Sequence, residues 1–215
     1  RPPRSTRFPY TTLFRSVTML AASVKAVLMN NILISIHGAE AVAAAGIMSY
    51  SMAILEALFS GYFSGISPII SFNYGKKDAS NQKRIFTFSL LIIGIMSALS
   101  VIIGLFFPDI IVKVFVSQND IVYDLAVTGF RLFSICFLFM GFSLFGTTLF
   151  TALNNGKISA ILSFLRFIFF VVLIMILSGK FGLTGAWLTQ PATYLLSFLM
   201  TVYYIVKMKR IYKYL

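Results

Sequence analysis

The sequence is divided into long apolar runs that are separated by short polar connections. Each run has about the 20 residues that a helix needs to cross the hydrocarbon core of a bilayer. The runs are continuous rather than alternating, which favours helices over the strands of a barrel. They cover residues 17–36, 41–72, 85–107, 125–153, 158–178 and 183–206. We therefore expect an all-α fold, that of a polytopic membrane protein with a bundle of six transmembrane helices.

The composition excludes most classes of soluble protein. The chain is 59% hydrophobic and 11% charged, whereas a soluble domain carries about 25% charged residues. The single cysteine, Cys136, excludes an internal disulfide, and the single histidine, His37, argues against a metal site built from histidines. The sequence has neither a Walker loop nor a Rossmann glycine pattern. We expect a protein that is not an enzyme and that has no cofactor and no metal.

The basic residues lie mainly in the connections between the apolar runs. Residues 76–84 carry four of them, and residues 207–213 carry another four. This distribution is typical of cytoplasmic loops, because positive charge is enriched on that side of a membrane. It does not form a continuous basic groove, so we expect no nucleic-acid partner. The pattern predicts a multi-pass protein of the cell membrane with its C-terminus in the cytoplasm.

The first sixteen residues differ from the rest of the chain. They read RPPRSTRFPYTTLFRS and have no apolar periodicity. At every position except Arg7 they resemble the translation of a sequencing-library adapter. We therefore expect residues 1–16 to be a non-native segment, and residues 17–215 to be a transmembrane lobe from a longer protein. The alternative is a native, basic and proline-rich tail.

The second apolar run carries a stripe of polar residues. On a helix with about 100° per residue, these residues fall within an arc of roughly 80°. The stripe consists of Ser49, Glu56, Ser60, Ser64, Ser67 and Ser71. A charge at the centre of a bilayer costs roughly 2.5–3.5 kcal/mol, so this face should look onto a water-filled cavity or another helix. Glu56 is then a proton or cation site, or else it forms an ion pair with Lys25 of the first run.

Three further polar residues are candidates for the lining of a substrate or ion pathway. Ser23 and Asn30 share one face of the first run, where the alternative is hydrogen bonding within the bundle. Arg166 shares a face of the fifth run with two serines. Its alternative is a side chain that extends to the bilayer surface.

Four segments carry a resemblance to a known family. In order along the chain they are GAEAVAAAGI (38–47), SPIISFNYGK (67–76), ALNNGK (152–157) followed by SFLR (163–166), and FGLTGAW (181–187) continuing to Pro191. Together they resemble the C-terminal half of the multidrug and toxic compound extrusion (MATE) family. The resemblance covers residues 17–215.

This resemblance implies a fold and a function. MATE proteins have two lobes of six helices around a central cleft, and they exchange cationic drugs for protons or sodium by alternating access. The chain would then be the second lobe of an ion-coupled multidrug efflux antiporter. Its partners would be organic cations, a coupling ion, the lipid bilayer and a missing N-terminal lobe. Two alternatives are a lipid-linked glycan flippase of the same superfamily and a membrane scaffold protein that does not transport.

Overall fold

The structure, a computed structural model, describes residues 8–117 and 120–212, and it describes the side chains from Leu20 onward except that of Arg210. Within these ranges the fold is all-α, as the sequence predicts. The helices are α1 (Phe8–His37), α2 (Ala39–Gly75), α3 (Ala79–Phe106), α4 (Pro108–Lys113), α5 (Ile121–Ser134), α6 (Cys136–Ala152) and α7 (Gly156–Tyr212). Arg1–Arg7, the first part of the expected non-native segment, lie outside the described residues, and α1 begins at Phe8.

Several helices are long and apolar enough to cross a membrane. Among the described residues, α1 from Leu20 onward, α2, α3 and α7 each meet this criterion. Helices α5 and α6 meet it together, as a pair bent by 47°. The outer surface carries large apolar side chains such as Phe106, which is 72% exposed. Such a surface is suited to lipid, and the chain is a multi-pass membrane protein.

Helix α7 folds back on itself at Gly182. The backbone there has φ of 57° and ψ of −131°, which interrupts an otherwise helical stretch of 57 residues. A Cβ atom added at Gly185 would clash with the carbonyl oxygen of Leu177. Residues eight positions apart on one straight helix would lie about 12 Å apart along its axis. The two arms, residues 156–181 and 183–212, therefore form a tight helical hairpin, and each arm contains one predicted apolar run.

The fourth predicted run, residues 125–153, is divided in the structure into α5 and α6 at Ile135. The hydroxyl of Ser134 donates a hydrogen bond to the carbonyl oxygen of Arg131 at 2.9 Å, just before the break. A side chain that bonds back to a preceding carbonyl bends a helix. A Cβ at Gly104 of α3 would touch Ser134, so α3 packs directly against the bend.

The core lies where α6 packs between α2, α3 and α7. It contains fully buried rings from α2, α6 and α7, among them Phe59, Phe145 and Phe170. Gly141 of α6 allows the closest approach, since a Cβ there would lie 2.6 Å from Phe59 and 2.8 Å from Ile93. Small residues permit such close contact between membrane helices. This packing fixes the position of α2, which carries the polar stripe.

Candidate functional site

The polar stripe of α2 lines a cavity between α2, α6 and the first arm of α7. The cavity has a volume of about 610 Å³. Most of its lining residues carry a hydroxyl or a charge. They are Glu56, Ser60, Phe63, Ser64 and Ser67 from α2, Leu144, Thr147 and Thr148 from α6, and Ser163 and Arg166 from α7. Four of the six stripe residues therefore face a space that can hold water or a solute, while Ser49 lines a second cavity and the hydroxyl of Ser71 donates to the carbonyl oxygen of Ala152 at 2.9 Å.

Glu56 lies one residue from the midpoint of α2 and is partly buried. One of its carboxylate oxygens, Oε1, accepts a hydrogen bond of 2.9 Å from the hydroxyl of Tyr194. Tyr194 belongs to the second arm of α7 and is only 3% exposed. A hydrogen bond to an ionised carboxylate is among the stronger ones in proteins. This bond connects the middle of α2 to the hairpin.

Arg166 points into the bundle and bonds to α6. One guanidinium nitrogen, Nη2, donates to the carbonyl oxygen and to the hydroxyl of Ser143, each at 3.0 Å. The same nitrogen lies 3.2 Å from the hydroxyl of Thr147. These partners belong to a neighbouring helix, so the side chain does not extend to the bilayer surface.

Tyr194 stands between the acid and the arginine. Its hydroxyl donates to Glu56, and the guanidinium of Arg166 lies 5.8 Å from the centroid of its ring. A cation over an aromatic ring is attracted by the negative face of the ring. Glu56, Tyr194 and Arg166 thus form one connected group that includes α2 and both arms of α7.

Lys25 lies at a second, smaller cavity, of about 270 Å³, on the other side of Glu56. Phe133, Phe170 and Gln190 are among its lining residues. The ammonium of Lys25 is 5.6 Å from the centroid of the Phe170 ring. Lys25 and Glu56 line this cavity together but are not within salt-bridge distance of each other. Glu56 therefore contributes to both cavities.

The candidate residues from the sequence separate into two groups. Glu56, Ser60, Ser64 and Arg166 come together in the larger cavity. Ser23 and Asn30 are exposed on α1 and belong to the lining of neither cavity. The described residues contain no group of three or more His, Cys, Asp or Glu side chains that could hold a metal ion.

Sequence reasoning missed Tyr194. The signal that marks its arm is a repeat of small polar residues at every fourth position. These are Thr189, Thr193, Ser197 and Thr201, all of which are buried. Gln190 and Tyr194 have the same spacing on the adjoining face, and Gln190 reaches the smaller cavity. A four-residue spacing places side chains on one side of a helix, so this repeat could have identified the inward face of the arm.

The family model MatE matches residues 16–177, which is most of the chain. The chain belongs to the MATE transporter family. This membership confirms the resemblance to the family, with three of the four sequence segments inside the matched range, and assigns the chain to a family of transporters rather than enzymes. No curated protein matches the chain.

Solved MATE structures have the same fold as this chain. An outward-facing multidrug resistance MATE transporter of the MOP superfamily matches 91% of the chain with a TM-score of 0.80 and 17% identity. An inward-facing conformation matches 91% with a TM-score of 0.75 and 16% identity. A MOP superfamily transporter from Pyrococcus furiosus, described as having a binding pocket of reverse polarity, matches 90% with a TM-score of 0.77 and 15% identity.

The matches cover only 45%, 46% and 45% of those three structures. The chain therefore spans about half the length of the transporters that it resembles. Their sequence identities are low, so the likeness establishes the fold, that of one half of a twelve-helix MATE transporter.

Proposed function

We propose that this chain is one lobe of an ion-coupled antiporter that exports organic cations by alternating access, with Glu56 as the ionisable group of the pathway. The observation that carries the proposal is the position of Glu56. It lies near the midpoint of a membrane helix, it contributes to two cavities, and Tyr194 holds one of its oxygens. An acid within a membrane segment is costly and marks an ion or substrate path.

The exchange follows from competition for one carboxylate. When Glu56 is ionised, it attracts a proton, a sodium ion or a cationic substrate; when it is protonated, this attraction to a cation is lost. The hydrogen bond from Tyr194 orients the carboxylate, while the hydroxyls of Ser60 and Ser64 can solvate an ion in the cavity. Binding of one cation therefore disfavours binding of the other, which is the requirement for antiport.

The aromatic side chains around Glu56 suit a flat organic cation. Phe63 lines the larger cavity, and Phe133 and Phe170 line the smaller one. Aromatic faces attract cations, and the attraction is larger when water is excluded. A cationic drug with an apolar ring system would therefore find both an acid and ring surfaces in the same space.

A single lobe cannot expose its cavity alternately to the two sides of a membrane. Alternating access requires two repeats that rock against each other around a site near the midplane. We therefore infer an N-terminal lobe as the partner of this chain. We also infer from the basic ends of α2, α3 and α7 that these ends lie in the cytoplasm.

The test is Glu56→Gln in the full-length gene. We expect the rate of drug efflux to fall at least tenfold while the amount of protein in the membrane is unchanged, because the amide keeps the size of the side chain and removes its charge. Glu40→Gln is the matched control, since Glu40 lies in the first turn of the same helix and is exposed. Normal efflux by the Glu56 variant would remove the central element of the proposal.

A second candidate function concerns anionic substrates. Lys25 and Arg166 line the two cavities that meet at Glu56, so two cations accompany one acid. A flippase for lipid-linked glycans, whose phosphate groups are anionic, would need basic side chains of this kind, but two of them beside an acid are too few to favour it over the antiporter. Lys25→Gln distinguishes the two functions. It should raise the affinity for an organic cation if the protein is a drug antiporter, and it should lower transport of an anionic lipid if the protein is a flippase.

A scaffold protein would need no water-filled path along α2. After Cys136→Ala, we would introduce Ser60→Cys, Ser64→Cys and Leu58→Cys separately and expose each variant to a membrane-impermeant thiol reagent. Leu58 is an exposed apolar residue about 160° around the helix from Ser60. We expect the two serine positions to react and Leu58→Cys to stay unlabelled in lipid. No reaction at either serine position would favour the scaffold.

A further inference from the structure

A separate polar cavity lies at the junction of α2, α3 and the end of α7. It has a volume of about 430 Å³ and does not include Glu56. Polar and aromatic side chains make up most of its lining. The lining residues are Asn73, Tyr74, Lys77, Asp78, Ala79, Gln82, Ile211 and Tyr212. None of them has a part in the transport pathway described above.

Gln82 supplies a hydrogen-bond acceptor that has no partner. Its side chain is only 3% exposed, and its amide oxygen Oε1 makes no hydrogen bond within the described structure. The neighbouring buried amide of Asn73 differs, because its Nδ2 donates to the carbonyl oxygen of Ile69 at 2.8 Å. Buried polar groups are nearly always hydrogen-bonded. Gln82 is part of the lining of this cavity, so a small rotation of its side chain would offer the unpaired oxygen to a ligand that donates a hydrogen bond.

The cavity also contains one charge of each sign. Lys77 precedes Asp78 and has a positive φ of 57°, a conformation that fixes the turn between α2 and α3. The Asp78 carboxylate accepts hydrogen bonds from the backbone nitrogen of Asn81 at 3.0 Å and from its side-chain nitrogen at 2.7 Å. Both bonds lower the pKa of Asp78, and the bond from the backbone nitrogen has the larger effect. At neutral pH the cavity thus presents a cation, an anion and an unpaired acceptor.

The position of the cavity is that of a membrane interface. Helix α2 ends at Gly75 and α3 begins at Ala79, so the cavity opens where both membrane helices end. Phe72 and Ile211, which are 61% and 65% exposed, present apolar surface beside it. The rings of Tyr74 and Tyr212 lie 5.5 Å apart at its wall. Tyrosine is enriched at the level of lipid headgroups.

We propose that this cavity binds the headgroup of phosphatidylethanolamine. The ethanolamine ammonium would donate hydrogen bonds to Gln82 Oε1 and face the carboxylate of Asp78, while Lys77 would contact the phosphate. A choline headgroup carries the same charges but has no N–H to donate. A glycerol headgroup can donate hydrogen bonds but has no positive charge for Asp78. Only the primary ammonium meets both requirements.

The test is native mass spectrometry of the purified protein with equimolar phosphatidylethanolamine, phosphatidylcholine and phosphatidylglycerol that share the same acyl chains. We expect the first bound lipid to be phosphatidylethanolamine, with about a tenfold preference, which corresponds to about 1.4 kcal/mol. Equal binding of the three lipids would overturn the proposal. A preference for phosphatidylglycerol would also overturn it, because it would indicate a site for anions only.

Two variants connect this preference to the cavity. Gln82→Leu removes the acceptor and should reduce the preference to about one. It should fold normally, since it replaces an unpaired buried amide with an apolar group. Lys77→Asn tolerates the positive φ and should weaken binding through loss of the phosphate contact. Lys83→Gln is the control, because Lys83 lines a different surface cavity. A preference that survives in both Gln82→Leu and Lys77→Asn would refute the assignment.

Discussion

Replacing Gly141 with alanine tests the packing that holds the polar stripe of α2 in place. The added methyl group would lie 2.6 Å from Cε1 of Phe59, 2.8 Å from Cζ of the same ring, and 2.8 Å from Cγ2 of Ile93. All three distances are well below ordinary van der Waals contact. Phe59 and Ile93 are both completely buried, so neither can move into free space. Helix α6 must therefore separate from α2 and α3.

These close contacts should make the Gly141→Ala variant less stable than the unmodified protein. Adding a methyl group to a filled core costs about 1–3 kcal/mol, and three close contacts with two fully buried residues favour the upper part of that range. Alanine regains about 0.5–1 kcal/mol over glycine inside a helix. We expect a net loss of about 2 kcal/mol in the free energy of unfolding, which corresponds to about a thirtyfold increase in the unfolded population.

The sole cysteine of the sequence provides the assay. Cys136 is completely buried, so a thiol-reactive fluorogenic dye labels it only when the protein opens. The labelling rate under native conditions follows the population of open states when closing is fast. We expect labelling of Gly141→Ala to be about thirtyfold faster than that of the unmodified protein.

The control is Gly94→Ala in α3, where the new methyl group would lie 3.8 Å from Phe142, an ordinary contact. This substitution should leave the labelling rate unchanged or lower it, through the gain in helix propensity. Equal rates for Gly141→Ala and Gly94→Ala would refute the reasoning, because they would mean that the core has room for a methyl group between α6, α2 and α3.

Two further predictions concern single hydrogen bonds. Tyr194→Phe keeps the ring near Arg166 but removes the hydrogen-bond donor to Glu56. We expect slower efflux at an unchanged amount of protein, measured in the same assay as Glu56→Gln. An unchanged efflux rate would mean that Glu56 does not need the hydrogen bond from Tyr194 for transport. Asp78 caps α3 through Asn81, so Asp78→Ala should destabilise the protein at neutral pH in thermal unfolding. Because the pKa of Asp78 is lowered in the folded state, its contribution is complete above the ordinary value of 3.8 and is lost as the pH falls through the lowered value. The stabilities of variant and unmodified protein should therefore converge only in acid.

The sequence predicts most of the helical architecture, because a bilayer leaves few choices. Every backbone polar group in the hydrocarbon region must be bonded, so a long apolar run indicates a helix almost by itself. The division of residues 125–153 is different. It is associated with the Ser134 hydroxyl and with α3, whose Gly104 packs against Ser134. A tertiary contact of this kind leaves no trace in the hydropathy of the run.

The candidate site could be predicted only on the side of α2. The stripe containing Glu56 follows from helical spacing, since all its members lie on one helix. The partner of Glu56 is 138 residues away along the chain, and no local periodicity connects two such positions. The same is true of Arg166: whether it reaches the bilayer surface or turns inward is decided by acceptors on α6, such as Ser143.

The reversal at Gly182 has a consequence for the biogenesis of the protein. The two arms of α7 meet in a turn too tight for a polar loop between them. During synthesis they should therefore enter the bilayer as a pair and, in the orientation proposed above, the turn would cross first. Lys180 is the only charged residue in the segment from Gly179 to Gly182, so in that orientation a single charge would pass through the apolar core. Once across, Tyr194 and Arg166 arrive at the same depth in one insertion event, on opposite arms of the same hairpin.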